Sequence, residues 1–303
     1  MEIPHVPTST ETVTREWMSR VLADEFRTDS KNVLITDLQV CVGTQRTDGF
    51  LSRMQRIIVT AKQKRGDDDT EGDPDTQQTL HLIAKLFPPG EVHQKLVRHL
   101  RAFEREIHVY QCHLNLVMSS QDQVPKIRPP FPKIYFCETG LDASCIVMED
   151  LKHSGFKLND KMRGMDLAHA LLCAQGEAIL AATAFNAKQR VGVEQYMLDN
   201  APLLLNPLTN HFGVMLDTQV YPGLISFAEG RNREDLVKRL QDYVVRVKSP
   251  YVRLMAGVER LGDLAVFSHG DCWNNNYMFR YELDADGNEI PVEVKVLDLQ
   301  ISR

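Results

Sequence analysis

Residues 33–42, 54–61 and 80–87 are rich in β-branched and apolar side chains and are separated by polar, glycine-containing segments, which predicts three strands early in the chain. Two more strands, over 133–138 and 143–148, follow a proline-rich connector at 125–132 and are joined by Thr139-Gly140-Leu141-Asp142. Other stretches repeat with helical spacing. Val13, Trp17, Val21, Leu22 and Phe26 form one such stripe, expected on the outside of the first lobe. Leu96, Leu100, Phe103, Ile107, Tyr110, Leu114 and Val117 recur at alternating intervals of four and three, which predicts one long amphipathic helix. Beyond residue 148 the chain turns helical. Asp166 caps an Ala-rich helix over 166–188, further helices are predicted over 229–248 and 252–261, and 194–222 reads as irregular. Near the end, two β-prone runs at 277–283 and 292–299 flank Asp284-Ala285-Asp286-Gly287-Asn288 and predict a hairpin. The result is an α+β fold with a sheet-rich first lobe over 1–147 and a helical second lobe over 148–303.

Composition narrows the classes. At 303 residues the chain is long enough for two domains with a substantial core. A net charge of −6 without a basic stripe argues against a nucleic-acid partner. The acidic run over 66–78, within an insertion over 62–79, reads as a solvated loop, and its spacing does not match an EF-hand. Six scattered cysteines form no C-x-x-C pair and read as reduced thiols of an intracellular protein. The first seventeen residues lack the apolar core of a signal peptide, and no apolar run approaches the length of a membrane span. A cytoplasmic protein with no membrane partner is therefore expected; oligomeric state leaves no signal.

The candidate chemistry gathers at the hairpin. His269, Gly270, Asp271 and Asn276 precede its first strand and Asp298 lies at the far end of its second, so pairing the strands brings Asp271, Asn276 and Asp298 to one end. Two carboxylates and an amide form an oxygen-rich set of the kind Mg²⁺ prefers. Phosphoryl transfer uses such a set, with one Asp orienting the attacking hydroxyl while Asn and a second Asp hold metal. Cys272 and His269 would be the residues of a thiol or metal site, but they lack an orienting third group. Lys85 sits inside an otherwise apolar strand, where a charge needs a partner. Glu106 flanks the stripe of the following helix and is the candidate; Glu104 is the rival, and a lysine snorkelling to water is the alternative to both.

With His269-Gly270-Asp271-x-x-x-x-Asn276, the hairpin and Asp298-Leu299-Gln300, the chain resembles the aminoglycoside and choline phosphotransferase branch of the kinase-like fold. More narrowly, HGDCWNNN, YMFRY, VLDLQISR and Phe103-x-x-Glu106-x-x-x-Tyr110 resemble the ecdysteroid kinase-like family. Leu299 stands where that family usually has Phe, and Leu180-Ala181-Ala182-Thr183-Ala184 lacks its usual His. The resemblance implies a bilobal, protein kinase-like fold using ATP and Mg²⁺. Asp271 would accept the proton of an acceptor hydroxyl, Asn276 and Asp298 would bind Mg²⁺, and Lys85, held by Glu106, would position phosphates. The turn over 43–52, with Gly49 and Ser52, would close on phosphate, and the backbone of Glu149 and Leu151 would meet the adenine edge. The acceptor implied is a small hydroxylated molecule such as an ecdysteroid or another lipophilic alcohol. Members of the family continue well past the position of Asp298, which implies an incomplete second lobe here. Two other readings stay open: a non-catalytic nucleotide-binding or regulatory protein, and a choline- or aminoglycoside-type kinase.

Overall fold

The computed structural model describes residues 6–43, 52–66, 69–140, 143–204, 210–258 and 262–303. Their contacts group into two compact units, one of Met1–Leu204 with Phe267–Arg303 and one of Leu205–Val266. The lobe boundary expected at 147/148 lies inside the first unit.

In the first unit, helix α1 (Arg15–Val21) precedes strands β1 (Val33–Val42), β2 (Arg53–Gln63) and β3 (Gln78–Leu86). With β4 (Ile134–Thr139) and β5 (Ser144–Glu149) these make one antiparallel sheet in the order β1-β2-β3-β5-β4. Side chains alternate across a strand. Ile57, Val59 and Ala61 of β2 and Leu82, Ala84 and Leu86 of β3 therefore share one face, where they bury with Trp17, Met18 and Val21 of α1. Each large side chain there contributes about 1.5–3 kcal/mol. The same alternation turns Lys85 to the opposite face.

That face meets the helices that follow β3. The expected single helix over 96–117 is instead α2 (Glu91–Leu100), α3 (Ala102–His108), a π turn (Val109–His113) and α4 (Leu114–Ser119). Arg101 breaks it, with φ at 52°. Its guanidinium engages Glu104, while the Arg105 side chain donates to the Leu100 carbonyl that the break frees, at 3.1 Å. Leu96 is exposed and Val97 takes the buried position.

A second sheet, β6 (Phe156–Leu158), β7 (Tyr277–Leu283) and β8 (Glu289–Val296), contains the predicted hairpin. Helix α5 (Leu167–Val191) packs on β8, and its Asp166 cap accepts from the His169 N–H. A Cβ on Gly176 would stand 3.4–3.6 Å from Val296, Val294 and Pro130, which marks how closely helix and hairpin approach. Contrary to the sequence expectation, α5 is long and apolar enough by composition to cross a membrane; a third of its most apolar window is buried in the protein. Helices α6 (Val193–Asp199) and α7 (Ala201–Leu204) complete this unit.

The second unit holds α8 (Asn210–Met215), a π turn (Leu216–Val220), α9 (Tyr221–Glu229), α10 (Glu234–Val247) and α11 (Pro250–Val258). Most described residues between 194 and 222 are thus helical rather than irregular. Within this unit Asp217 accepts from Tyr251 N at 2.9 Å and from the Ser249 hydroxyl, and the Tyr221 and Tyr243 rings stack.

Candidate active site

Lys85 is 5% exposed, and its ammonium donates to Glu106 Oε2 at 2.6 Å and to Asp298 Oδ1 at 2.9 Å. The pairing joins β3, α3 and the segment after β8, bringing together residues 213 apart in sequence. Burial alone would push the Lys85 pKa down, but Asp298 and Glu106 outweigh it and hold the ammonium charged. Glu106 is fully buried, and that burial raises its pKa against the pull of Lys85. Glu104, the rival, is half exposed and engages Arg101 instead.

The loop before β7 is built around a buried histidine. His269 is fully buried; its Nε2 donates to the Leu297 carbonyl at 2.7 Å, leaving Nδ1 to accept from the Asp271 N–H at 3.1 Å. Gly270 has φ +85°, and a Cβ there would come within 2.4 Å of the Ile301 carbonyl oxygen. The backbone of Ser268 and Arg303 pairs in both directions alongside, locking the loop to the segment after Asp298. Asn276 is buried and its Nδ2 donates to the Asp271 carbonyl at 2.9 Å and to Asp271 Oδ2 at 3.1 Å. The Leu297 N–H donates to the Asn276 carbonyl at 2.9 Å, placing Asp298 beside Asn276. Asp298 adopts φ 60°, and Leu299 behind it is fully buried as an apolar anchor. Cys272 is exposed, and partial desolvation of its thiol raises its pKa and favours the neutral form.

The ecdysteroid kinase-like family model matches residues 46–303, most of the chain. The chain belongs to the ecdysteroid kinase-like family. No curated protein matches it. One solved structure that does is the crystal structure of the PF14_0431 kinase domain, 11% identical with a TM-score of 0.28. The alignment covers 90% of this chain and 53% of that one, so the chain spans about half the length of that neighbour. A similarity this distant carries no argument about the site, which rests on the residues above.

Asn276 and Asp298 each keep an oxygen that could serve a divalent cation. Asn276 engages Asp271 through Nδ2, which leaves its Oδ1, and Asp298 engages Lys85 through Oδ1, which leaves Oδ2. Oxygen-only donors suit Mg²⁺, which keeps water and phosphate oxygens in the rest of its shell. No three His, Cys, Asp or Glu side chains gather into a metal cage among the described residues. Asn276 Oδ1 and Asp298 Oδ2 are donors of the type Mg²⁺ takes.

The remaining expected contacts divide. Ser52 stands just before β2, half buried, its hydroxyl 3.9 Å from Met54 Sδ; Gly49 and the rest of 44–51 lie outside the described residues. At the end of β5 the Glu149 N–H donates to the Lys133 carbonyl and the Leu151 carbonyl accepts from the Phe156 N–H, both at 2.9 Å. Leu151, Phe156, Met278 and Leu297 form an apolar cluster there. Sequence reasoning missed Asp150 between Glu149 and Leu151, a buried carboxylate that accepts from Arg56 Nε at 2.6 Å and from the Lys152 N–H at 3.1 Å. It also missed Arg105, buried beside Glu106, which donates to the Ser302 and Leu203 carbonyls at 3.2 and 3.3 Å. Only their charge in an otherwise ordered segment marked either residue.

Proposed function

We propose that the chain transfers the γ-phosphoryl group of ATP to a hydroxyl of a small molecule. The observation that carries this reading is the Lys85 ammonium held between Glu106 and Asp298, with Asn276 bonded to Asp271 next to them. Lys85 would pair with phosphate oxygens, and Glu106 would keep it extended from β3. Asp271, fixed by Asn276 and by its own N–H on His269, would orient the acceptor hydroxyl and take its proton. Asn276 Oδ1 and Asp298 Oδ2 would hold Mg²⁺, which when bound offsets the negative charge of the phosphates. The Glu149 carbonyl and Leu151 N–H would meet the adenine edge, with Leu151 and Met278 as apolar cover.

The family's description makes a steroid or another lipophilic alcohol the first acceptor to try. The test incubates the chain with Mg·ATP and a panel of hydroxylated steroids, choline and aminoglycosides, with D271N as control. The expected result is a phosphorylated product from one acceptor class, with turnover about 10³-fold lower in D271N. ATP that binds without transfer to any acceptor would contradict the reading and favour a nucleotide-binding regulatory role.

A further inference from the structure

A cavity of about 600 Å³ lies behind the end of β5, between the connector before β4, helix α5 and strand β8. Its volume is that of a small-molecule site. None of Lys85, Asp271, Asn276 and Asp298 lines it. The floor is apolar: Phe131 and Val294 are buried there, with Ile134, Leu172 and Ile179 half-buried beside them. Gly176 adds no side chain to the middle of this floor.

The rim carries charge that is unevenly neutralised. Glu293 is engaged by Arg280 at 2.6 Å, and the Glu149 carboxylate accepts from the Lys133 N–H at 2.8 Å. Lys133 is in turn held by Glu25 at 2.7 Å. The N–H bond leaves Glu149 its charge, so across the lining Arg128, Lys133 and Lys295 face Glu149 and Glu293, an excess of one positive charge. Arg128 is exposed and has no ion pair among the described residues. The Lys295 side chain is only 21% exposed, yet its ammonium reaches Glu293 at no closer than 3.9 Å and the Phe131 carbonyl at 3.4 Å. With the Phe156 ring centroid 5.8 Å away as well, that ammonium is held by long contacts alone, and an incoming carboxylate would supply a short charge-assisted bond.

We propose that this groove binds an anionic amphiphile, an apolar chain or ring system on the floor with a carboxylate facing Arg128 and Lys295. Charge complementarity selects the occupant: the committed acids leave net positive charge over an apolar bed. The inference is separate from the phosphotransferase reading, since none of Lys85, Asp271, Asn276 and Asp298 lines the groove, and Glu149, which does, serves that reading only through its backbone carbonyl.

Decanoate and decanol, matched in their apolar body, isolate the charge. Calorimetric titration is expected to show saturable binding of one decanoate per chain, with decanol about tenfold weaker or more. R128E and K295Q are each expected to weaken decanoate about tenfold while leaving decanol unchanged. Arg128 is exposed, so R128E keeps the test decisive if K295Q fails to fold. Equal binding of decanoate and decanol, absence of saturable binding, indifference to R128E, or displacement of decanoate by Mg·ATP would each overturn the proposal.

Discussion

Lys85 is where the physical chemistry of single residues bears hardest on the site. A cation buried between two carboxylates stabilises only while both signs are present. K85M leaves Glu106 fully buried without its partner and is expected to cost about 3–5 kcal/mol in chemical denaturation. K85M/E106Q is expected to recover more than half of that, a coupling that independent sites would not show. The need for a partner was legible in the sequence, because a lysine amid LHLIAKLF cannot stay uncompensated. Which glutamate answers it was settled by burial, since Glu104 turns to Arg101. Asp150 and Arg56 were not legible, for they meet across 94 residues and no local pattern links them. His113 gives a pH signature. Burial lowers its pKa from 6.5 to about 4, against the bond to Asn200. Between those values the unfolded chain takes up a proton that the folded one refuses, so this contribution is present above pH 6.5 and is lost as pH falls towards 4. Denaturation midpoints measured from pH 7 to 4.5 should fall, and H113Q should flatten that slope by about one proton. An unchanged slope in H113Q would remove His113 from this role.

At the scale of elements, two glycines make opposite predictions. Gly270 combines positive φ with a carbonyl oxygen 2.4 Å from a would-be Cβ. G270A is expected to cost at least about 1–3 kcal/mol from the backbone alone and to lower the melting temperature. Gly176 is helical, and its would-be Cβ meets ordinary contacts at 3.4–3.6 Å. G176A should therefore be neutral or stabilising by up to about 1 kcal/mol, while G176L overpacks α5 against β8 at about 1–3 kcal/mol. The melting temperatures of the two variants should move apart. Strands were the most legible elements, since alternation across β2 and β3 follows directly from which side chains reach the core. The break between α2 and α3 was hidden because Arg101, a good helix former, adopts the left-handed conformation without a glycine to announce it. The helices between residues 193 and 222 were misread for the reverse reason. Pro222 looks like a breaker, yet the helical path runs through it, from the π turn over Leu216–Val220 straight into α9.

For the whole molecule, the central claim is that distant segments meet around one ammonium to handle Mg·ATP. The convergence of Asp271, Asn276 and Asp298 was legible because hairpin pairing fixes it, and the family match over 46–303 agrees with the motifs that suggested it. The division into Met1–Leu204 with Phe267–Arg303 and Leu205–Val266 was not legible, because the chain leaves and re-enters the first unit without a change in composition. The most direct test is the affinity for ATP with and without Mg²⁺ in the parent chain, D298N and D271N, measured beside transfer. The account predicts Mg²⁺-dependent binding in the parent, loss of that dependence in D298N, and near-parental binding with about 10³-fold slower transfer in D271N. ATP affinity indifferent to both Mg²⁺ and D298N, or undiminished transfer in D271N, would contradict it.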